Sequence, residues 1–456
     1  MSVSLVGIPQ SIADIIQDRT LERVFHDALF PRLLYRSEAQ AELWQANLGE
    51  RAVFTRSGLI PVDTTPLVPG QDPSAATFGF EQWEVEAAQY GRTLDTHMPT
   101  NYVAIAPTFM RNTVNLGLNA GETLNRIVRD RLFRAYLGGN TALAVAGVAG
   151  QTTIQVASIN GFTEQLLGAR PVPVSAAAPI AATVNAEVIS IIGATPLNPA
   201  EPFGRGTLFL AAALATSPAI RSPVIATNRS RIMRVGAGTT VDALTAGSVL
   251  TLQTFIDAVA YMRGQKIPPC FDGYYHVHLT PTGEAQLYLD QAFQRLYQSL
   301  PDNTVFRDAA IGQLVGCRFY RDTENPNSEN AGALVSTGAG ASMGSGTVGA
   351  DVINTAGVPI QRAIVLGGGS IYEKYLDESK YISEAGVTGK IGQFSIVNNG
   401  VQVMTQRIRY ILRAPLDKLQ QVIAQTWSWS GDFAIPSDSL SGNPARFKRA
   451  IVIEHA

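Results

Sequence analysis

The feature that most limits the fold is one periodic run, "PTFMRNTVNLGLNAGETLNRIVRDRLFRAYL", at residues 107–137. Val114, Leu118, Gly121, Leu124, Val128, Leu132 and Ala135 recur at intervals of three and four, the spacing of one face of an α-helix. Pro107 suits a first turn, and Gly138 and Gly139 suit a terminus. At 1.5 Å per residue the helix is about 45 Å long. Arg126, Arg129, Arg131 and Arg134 crowd its last turns, where the helix dipole favours positive charge. They read as a solvated, dipole-matched face, with contacts to a neighbouring subunit's carboxylates as the alternative. Gly117 and Gly121 fall mid-helix, either as bending points or as close contacts with a small side chain.

A second constraint precedes the helix. Residues 49–100 have β-like ends and a turn-rich middle. In "FGFEQWEVEAAQYG", Phe78, Phe80 and Glu84 share one parity while Gln82, Trp83 and Val85 blur it, so the strand is not clean. Between the ends lie Pro61, Pro66, Pro69 and Pro73 with Gly58 and Gly70. About 25 residues of that composition form no core of their own. The segment reads as a long two-stranded arm with an irregular tip. Isolated hairpins are marginal in water, so such an arm is expected to be held by another chain. Residues 10–36 read as short amphipathic helices, with a stripe of Ile12, Ile15, Ile16, Leu21, Val24 and Phe25, interrupted at Pro31.

Beyond the long helix, residues 150–235 show short β-type segments: "TTIQVAS", "ARPVPVS", "AEVISIIGA", "TLFLAAAL" and "PVIATN". Gly, Pro and Asn turns separate them, which predicts an inserted all-β module, sandwich or barrel. From 248 the pattern is mixed. "TLQTFIDAVAYMRG" predicts a helix capped by Thr251, with Phe255, Ile256, Val259 and Met262 inward. "GYYHVHL" predicts a strand. "TGEAQLYLDQAFQRLYQSL" predicts one helix with Ala285, Leu289, Phe293, Leu296 and Leu300 on a face. "QLVGCRFYRD" and "RAIVLGG" predict further strands, and the Gly/Ser/Ala-rich stretch around 325–360 a surface excursion. Two last strands are expected near 401–413 and 419–430, joined through Pro415.

Composition excludes several classes. Hydrophobic residues make up 46% and charged residues 16% of 456, so core material is ample and charge is scarce. The length suggests two to four units. The net charge of −2 lacks the basic excess of a protein that grips nucleic-acid phosphates. Cys270 and Cys317 lie in no metal-like spacing and read as buried thiols of a reducing compartment. The N-terminus shows no basic region followed by an apolar core, so no secretory signal is expected. No run of about 18 apolar residues is present to span a membrane.

No catalytic constellation survives inspection. His276 and His278 share one face of a strand, as the start of a metal site would. A catalytic zinc needs a third protein ligand, and HExxH and Cys clusters are absent. His26, His97 and His455 lie in unrelated elements, so the pair reads as packing residues. "DTH" at 95–97 has no GxSxG near it in sequence to complete a triad. "VLGGGSIYEK" only loosely resembles a phosphate-cradling turn, and GxxxxGK[ST] is absent. Trp427 and Trp429 on one strand face read as aromatic packing, since no basic residues interleave them for base stacking.

An amphipathic start, a long arm, a long helix, an inserted β-module and a mixed domain suit a protein that binds copies of itself. In that order the chain resembles a tailed-bacteriophage major capsid protein of the Hong Kong 97-type fold. The likeness rests on "TTPLVPGQDP" near the arm's tip, "QYGRTLDT" at its base, "GETLNRIVRDRLFRAYLGG", "DGYYHVHLTP", "IGQLVGCRFYRDTENP" and "RYILRAPLDKLQQVIAQTWSWSGDFAIPSD", collinear over about 400 residues. The resemblance implies an α+β fold: N-terminal arm 1–48, E-loop and its base 49–100, P-domain spine helix 101–149, inserted β-barrel or sandwich 150–235, A-domain 236–400, and closing P-domain strands with the C-terminus 401–456. It implies no enzyme and no cofactor. It implies self-assembly into pentamers and hexamers of an icosahedral shell around double-stranded DNA, made in the host cytoplasm and ending in the virion. The partners implied are a portal protein, a scaffolding protein and a decoration or cement protein. Leu59, Ile60, Leu67, Val68 and Trp83 become the expected inter-subunit contacts of the E-loop. The arm carries no lysine, so isopeptide cross-linking from it is not expected. The alternatives are an encapsulin-like shell around protein cargo, and a metal-dependent hydrolase using His276 and His278.

Overall fold

The computed structural model describes residues 20–29, 34–44, 49–57, 62–66, 70, 72, 75–78, 80–103, 108–167, 170–199, 202–227, 229–298, 312–322, 352–354, 356–376, 389–391, 394–397, 400–405, 407–413, 418–419, 421–436 and 448–456. The chain divides into two compact units. One comprises Met1–Ala52, Glu84–Arg129 and Ile371–Ala434, the other Val53–Trp83, Asp130–Ser370 and Ile435–Ala456.

The first unit is an eight-stranded sheet beneath the N-terminal part of the long helix, Thr108–Leu137. Strand Val422–Ala434 lies at its centre. It pairs antiparallel with Ala88–His97 and then Tyr372–Leu376 along one edge, and with Ile408–Arg413 along the other. Alternation decides which face is covered: Ile423, Gln425, Trp427 and Trp429 are buried, while Ala424 and Thr426 between them are half-buried. Trp427 Nε1 donates to Asn119 Oδ1 at 3.1 Å and Gln425 Nε2 to the Phe109 carbonyl at 3.2 Å, which ties the helix to the sheet. Trp429 stacks on Phe433 at 5.0 Å, so the tryptophan pair is core packing. The single strand expected at 401–413 is instead a hairpin, Gly400–Thr405 with Ile408–Arg413. Arg407 makes the turn with a φ of 63°. Pro415 lies outside the described residues.

Buried charge in this unit is clasped rather than avoided. Glu373, on strand Tyr372–Leu376, is fully buried. Arg36 reaches it at 2.6 Å from one side and Arg407 at 2.6 Å from the other. A buried carboxylate needs such partners, because desolvation without them costs several kcal/mol.

The second unit holds two β assemblies. Strands Asn140–Ala142, Pro223–Ala226, Ile180–Val184, Glu187–Pro196, Gly206–Leu210 and Thr153–Val156 pair in that order. The bridge Leu143↔Val156 and the hydrogen bonds Ala144 N→Gln155 O and Ala157 N→Ala142 O return the last strand to the first. The sheet is therefore closed into a barrel, and closure removes its edges. Its interior is filled by Val156, Ile180, Val184, Ile191, Leu208 and Val224. Asn185 and Ala186, both at positive φ, make a two-residue hairpin turn whose twist matches the flanking strands. The barrel takes in residues 140–142, ahead of the expected start at 150, because Asn140–Ala142 supplies the closing strand. "ARPVPVS" stays outside it, and Arg170–Pro173 pairs with Glu164–Leu167 as a separate hairpin.

The mixed sheet runs in the order Ile232–Arg234, Ala450–His455, Pro359–Leu366, Tyr275–Leu279, Cys317–Arg321, Gln313–Leu314. Tyr275, Val277, Leu279, Val365, Ile451 and Ile453 form one face, packed with Phe255, Val259, Met262, Leu287 and Phe293 from the helices. The expected helix at 282–300 is broken at Asp290 into Pro281–Leu289 and Gln291–Gln298. Asp290 leaves helical geometry because its carboxylate accepts from two amides, Leu252 N at 2.8 Å and Ala292 N at 3.1 Å. It thus caps the helix Leu252–Gly264, the task expected of Thr251, whose hydroxyl meets the Thr254 hydroxyl instead. Leu289, expected inward, is left exposed by the break, and Ile256 is exposed as well.

The C-terminal strand departs furthest from expectation. The C-terminus, expected to follow the closing strands, supplies an interior strand of the mixed sheet at 450–455, between Ile232–Arg234 and Pro359–Leu366. "AIVIEH" is buried at every position, the mark of a strand covered on both faces. On this strand Glu454 accepts from Arg234 Nε at 2.7 Å and Arg362 Nε at 3.1 Å.

His455 is the next residue, and its ring is fully buried with only the Ala456 backbone favouring its charged form. Burial pushes its pKa down from 6.5 to about 4. Above pH 6.5 the ring is neutral in both states and its contribution to stability is complete. Between 6.5 and about 4 the unfolded chain takes a proton that the folded chain refuses, so stability falls by on the order of 3 kcal/mol. Below that window the loss levels off. Urea midpoints of wild type and His455→Gln from pH 7 to pH 4 test this. The wild type is expected to lose stability more steeply, and parallel curves would refute the assignment.

Candidate functional site

The arm is the element whose surface fits no role inside one chain. Strands Arg51–Ser57 and Phe80–Glu86 form a two-stranded ribbon. The alternation that looked blurred in sequence is clean: Ala52 and Phe54 on one strand, with Glu81, Trp83 and Val85 on the other, are buried. Phe54 stacks on Trp83 with centroids 5.7 Å apart and planes 6° apart. The Arg56 guanidinium lies 5.8 Å from the Trp83 ring and pairs with Glu81 at 2.7 Å. Gln82 Oε1 accepts from Arg170 Nε at 2.7 Å, joining the ribbon to the small hairpin beside the barrel.

The opposite face is different. Val53 and Phe80 are each 53% exposed, Phe78 is 44% exposed, and Val62 beyond the strands is 87% exposed. Phe78 and Phe80 pack edge to face at 5.2 Å, so they present one aromatic patch. Leu59, Ile60, Leu67 and Val68 lie outside the described residues. Trp83 was expected at a subunit contact, but it is 4% exposed and spent on the arm's inner face. The aromatics on offer are Phe78 and Phe80. Their shared parity is the signal in the sequence, and Gln82, Trp83 and Val85 blur it.

The long helix carries the remaining expected residues. It spans Thr108–Leu137, with Gly139 at a φ of 77° beyond its end, and Pro107 lies outside the described residues. Its buried stripe is Leu116, Ala120, Leu124, Val128 and Leu132. The arginines are not a uniformly solvated face. Arg129 is buried, and the Arg134 guanidinium sits 4.7 Å from the Phe203 ring centroid while its carbonyl accepts from Asn160 Nδ2. Arg126 and Arg131 are half-buried.

Gly117 is a point of close approach. A Cβ there would stand 2.8 Å from the Phe25 carbonyl oxygen and 2.9 Å from the Ala28 Cβ, both on helix Thr20–Leu29. Leu21, Phe25 and Leu29 of that helix are buried, and Phe25 meets Tyr410 at 4.9 Å. Gly121 is buried as well. An exposed Gly→Ala change in a helix gains about 1 kcal/mol from propensity. At position 117 overpacking wins, because the nearest obstacle is backbone. Gly117→Ala is expected to destabilise by about 1–3 kcal/mol. Thermal denaturation checks it, and a rise in Tm would restore the bending-point reading.

His276 and His278 lie on the face of strand Tyr275–Leu279 opposite the core cluster, and both are buried. His276 Nε2 bonds Asp272 Oδ2 at 2.9 Å, and Arg318 NH1 donates to the same oxygen at 3.0 Å. Burial would raise the Asp272 pKa, but the hydrogen bonds from His276 and Arg318 hold it below the usual carboxylate range. The His278 ring stacks on Tyr320 at 5.3 Å. Both imidazoles meet the same Tyr320 ring, His276 edge-on at 5.1 Å and His278 stacked, and His276 is held by the Asp272 carboxylate as well. Burial pushes the Cys317 thiol up to about 12, so it is inert.

No family model and no curated protein matches this chain. Among solved structures, the chain is similar to a capsid protein in the cyanophage Pam1 capsid asymmetric unit at 12% identity, with 95% of this chain and 93% of that one covered and a TM-score of 0.47. For the cyanophage P-SCSP1u capsid the values are 9% identity, 93% and 88% coverage, and a TM-score of 0.44. For the capsid of Ralstonia phage GP4 they are 12%, 92% and 85%, and 0.43.

Proposed function

We propose that the chain is the major capsid protein of a tailed bacteriophage, a structural protein that assembles with itself into pentamers and hexamers of an icosahedral shell around double-stranded DNA. The observation that carries the reading is the two-faced arm. Its inner face is packed by Phe54 and Trp83, while its outer face holds Val53, Phe78 and Phe80 against solvent. Exposing such a patch is unfavourable in a lone chain, and a second copy is the partner always present at matching concentration. In the assembled shell the arm lies across the adjacent subunit, with Leu59, Ile60, Leu67 and Val68, which lie outside the described residues, as further contacts. Many modest contacts of this kind add up to a stable shell.

The charge balance agrees with a container. At a net charge of −2 the wall confines DNA without gripping it, since it lacks the basic excess of a phosphate binder. The order of elements supports the same assignment: arm, long helix, closed barrel, mixed sheet and returning strands. Scaffold, portal and decoration proteins complete the proposed assembly, which forms in the host cytoplasm and persists in the virion. Electron microscopy of the expressed full chain, alone and with candidate scaffold, is the direct test. Closed shells or capsomers are expected. A strict monomer under every condition would overturn the proposal.

A further inference from the structure

The segment that leaves the barrel, "NRSRIMRVG", places Arg229, Arg231 and Arg234 within six residues of one another. Arg234 shares Glu454 with Arg362, and the neighbouring Arg221 takes both oxygens of Asp242, at 2.7 and 2.6 Å. Two carboxylates thus answer three of these five guanidiniums. Arg229 and Arg231 have no carboxylate partner among the described residues. Arg231 lies over the Tyr261 ring at 4.6 Å. Arg229 donates its Nε to Asn140 Oδ1 at 2.7 Å. Burial, and then repulsion from Arg234 and Arg231, pull the Arg229 pKa below its ordinary value. The positive charge here exceeds the negative, with Arg229 half-buried and Arg231 exposed.

Asn140 fixes what that field acts on. A guanidinium only donates, so Asn140 must turn its oxygen to Arg229 and its amide nitrogen away. Asn140 is 4% exposed, and its Nδ2 has no acceptor among the described residues. Such a buried donor is unfavourable if it stays unpaired. Asn140 lines a small crevice with Thr141, Ala142, Arg234, Thr240 and Val241, with room for about one water-sized group. The Thr141 hydroxyl already accepts from Ser158 N at 2.9 Å, so its proton is left to donate. The lining therefore offers donors under a net positive charge and carries no carboxylate.

We infer that this crevice binds a monatomic inorganic anion of halide size, received by Asn140 Nδ2 and the Thr141 hydroxyl, with Arg234 in the lining and Arg229 behind Asn140 supplying positive charge. The site stands apart from the shell proposal, since it uses no arm residue. Water could fill the space, but it would leave the surplus charge unanswered.

The test is thermal denaturation of the full chain in rising chloride against gluconate at constant ionic strength. A saturable rise in Tm with chloride is expected for wild type. Arg229→Gln should weaken the apparent chloride affinity at least tenfold, while Arg409→Gln, far from the crevice in sequence and on the other unit's sheet, should leave it unchanged. Asn140→Asp supplies a built-in anion beside Arg229, so it should fold and show no chloride dependence. This second variant decides the matter if Arg229→Gln fails to fold. Bromide-soaked crystals should show an anomalous peak in contact with Asn140 Nδ2. A chloride response that is absent in wild type, or unaltered in Asn140→Asp, overturns the site.

Discussion

Replacing Glu454 by glutamine is expected to destabilise the second unit by about 3–5 kcal/mol, the range seen when one member of a buried ion pair is removed. The size follows from what remains. Glu454 is fully buried between Arg234 on one neighbouring strand and Arg362 on the other, and Arg362 is itself 0% exposed by side chain. Glutamine keeps the shape and one acceptor oxygen but removes the charge, leaving two guanidiniums facing each other in a low dielectric. The attraction among the three groups is not itself the reason for the large loss. A triple change, Glu454→Leu with Arg362→Met and Arg234→Met, removes every charge together and is expected to recover most of the stability. Chemical denaturation of the single and triple variants measures this. If Glu454→Gln lowers stability by less than about 1 kcal/mol, the cluster is wetter than its burial indicates. The clasp of Glu373 by Arg36 and Arg407 in the first unit should respond in the same direction, and less, because Arg407 is 39% exposed.

The second large effect concerns assembly rather than folding. Val53→Asp combined with Phe80→Asp should abolish shell formation while leaving the Tm of the unassembled chain near the wild-type value. Both side chains are 53% exposed, so the intrachain packing lost is chiefly the exposed Phe78–Phe80 contact. At an interface between copies the same charges would be buried without partners, at a cost of several kcal/mol per contact repeated around the shell. Sedimentation velocity separates the outcomes, with monomers or capsomers expected in place of closed shells. Shells forming at the wild-type concentration would show that the arm's outer face is not the contact. Trp83→Ala is the matched contrast. It should lower the Tm, since Trp83 packs the inner face, where its loss opens a cavity worth about 3–5 kcal/mol.

How much was legible in the sequence varies with the reach of the interactions involved. The long helix ends within a residue of its expected start and at its expected finish, because period and terminal glycines are local signals. The short β segments of the module were visible for the same reason. Their closure was not, because it depends on Asn140–Ala142, which precedes the module's apparent start and pairs with Pro223–Ala226 some 80 residues later. The helix expected at 282–300 broke at Asp290 because its carboxylate serves an amide 38 residues away, Leu252 N. The two readings of Gly117 could not be separated until the Phe25 carbonyl was placed against it.

Local pattern alone therefore determined most segments that are helix, strand or arm, and that core material is plentiful. Those properties depend on neighbours a few residues apart. Only the tertiary structure decided that "AIVIEH" is a central strand of the mixed sheet, that Trp83 faces inward while Phe80 faces out, and that Glu373 and Glu454 are each held by two arginines. The residues involved are separated by up to some 340 positions. Nothing in a strand's own alternation says which face will be covered, because that is settled by whatever packs on it.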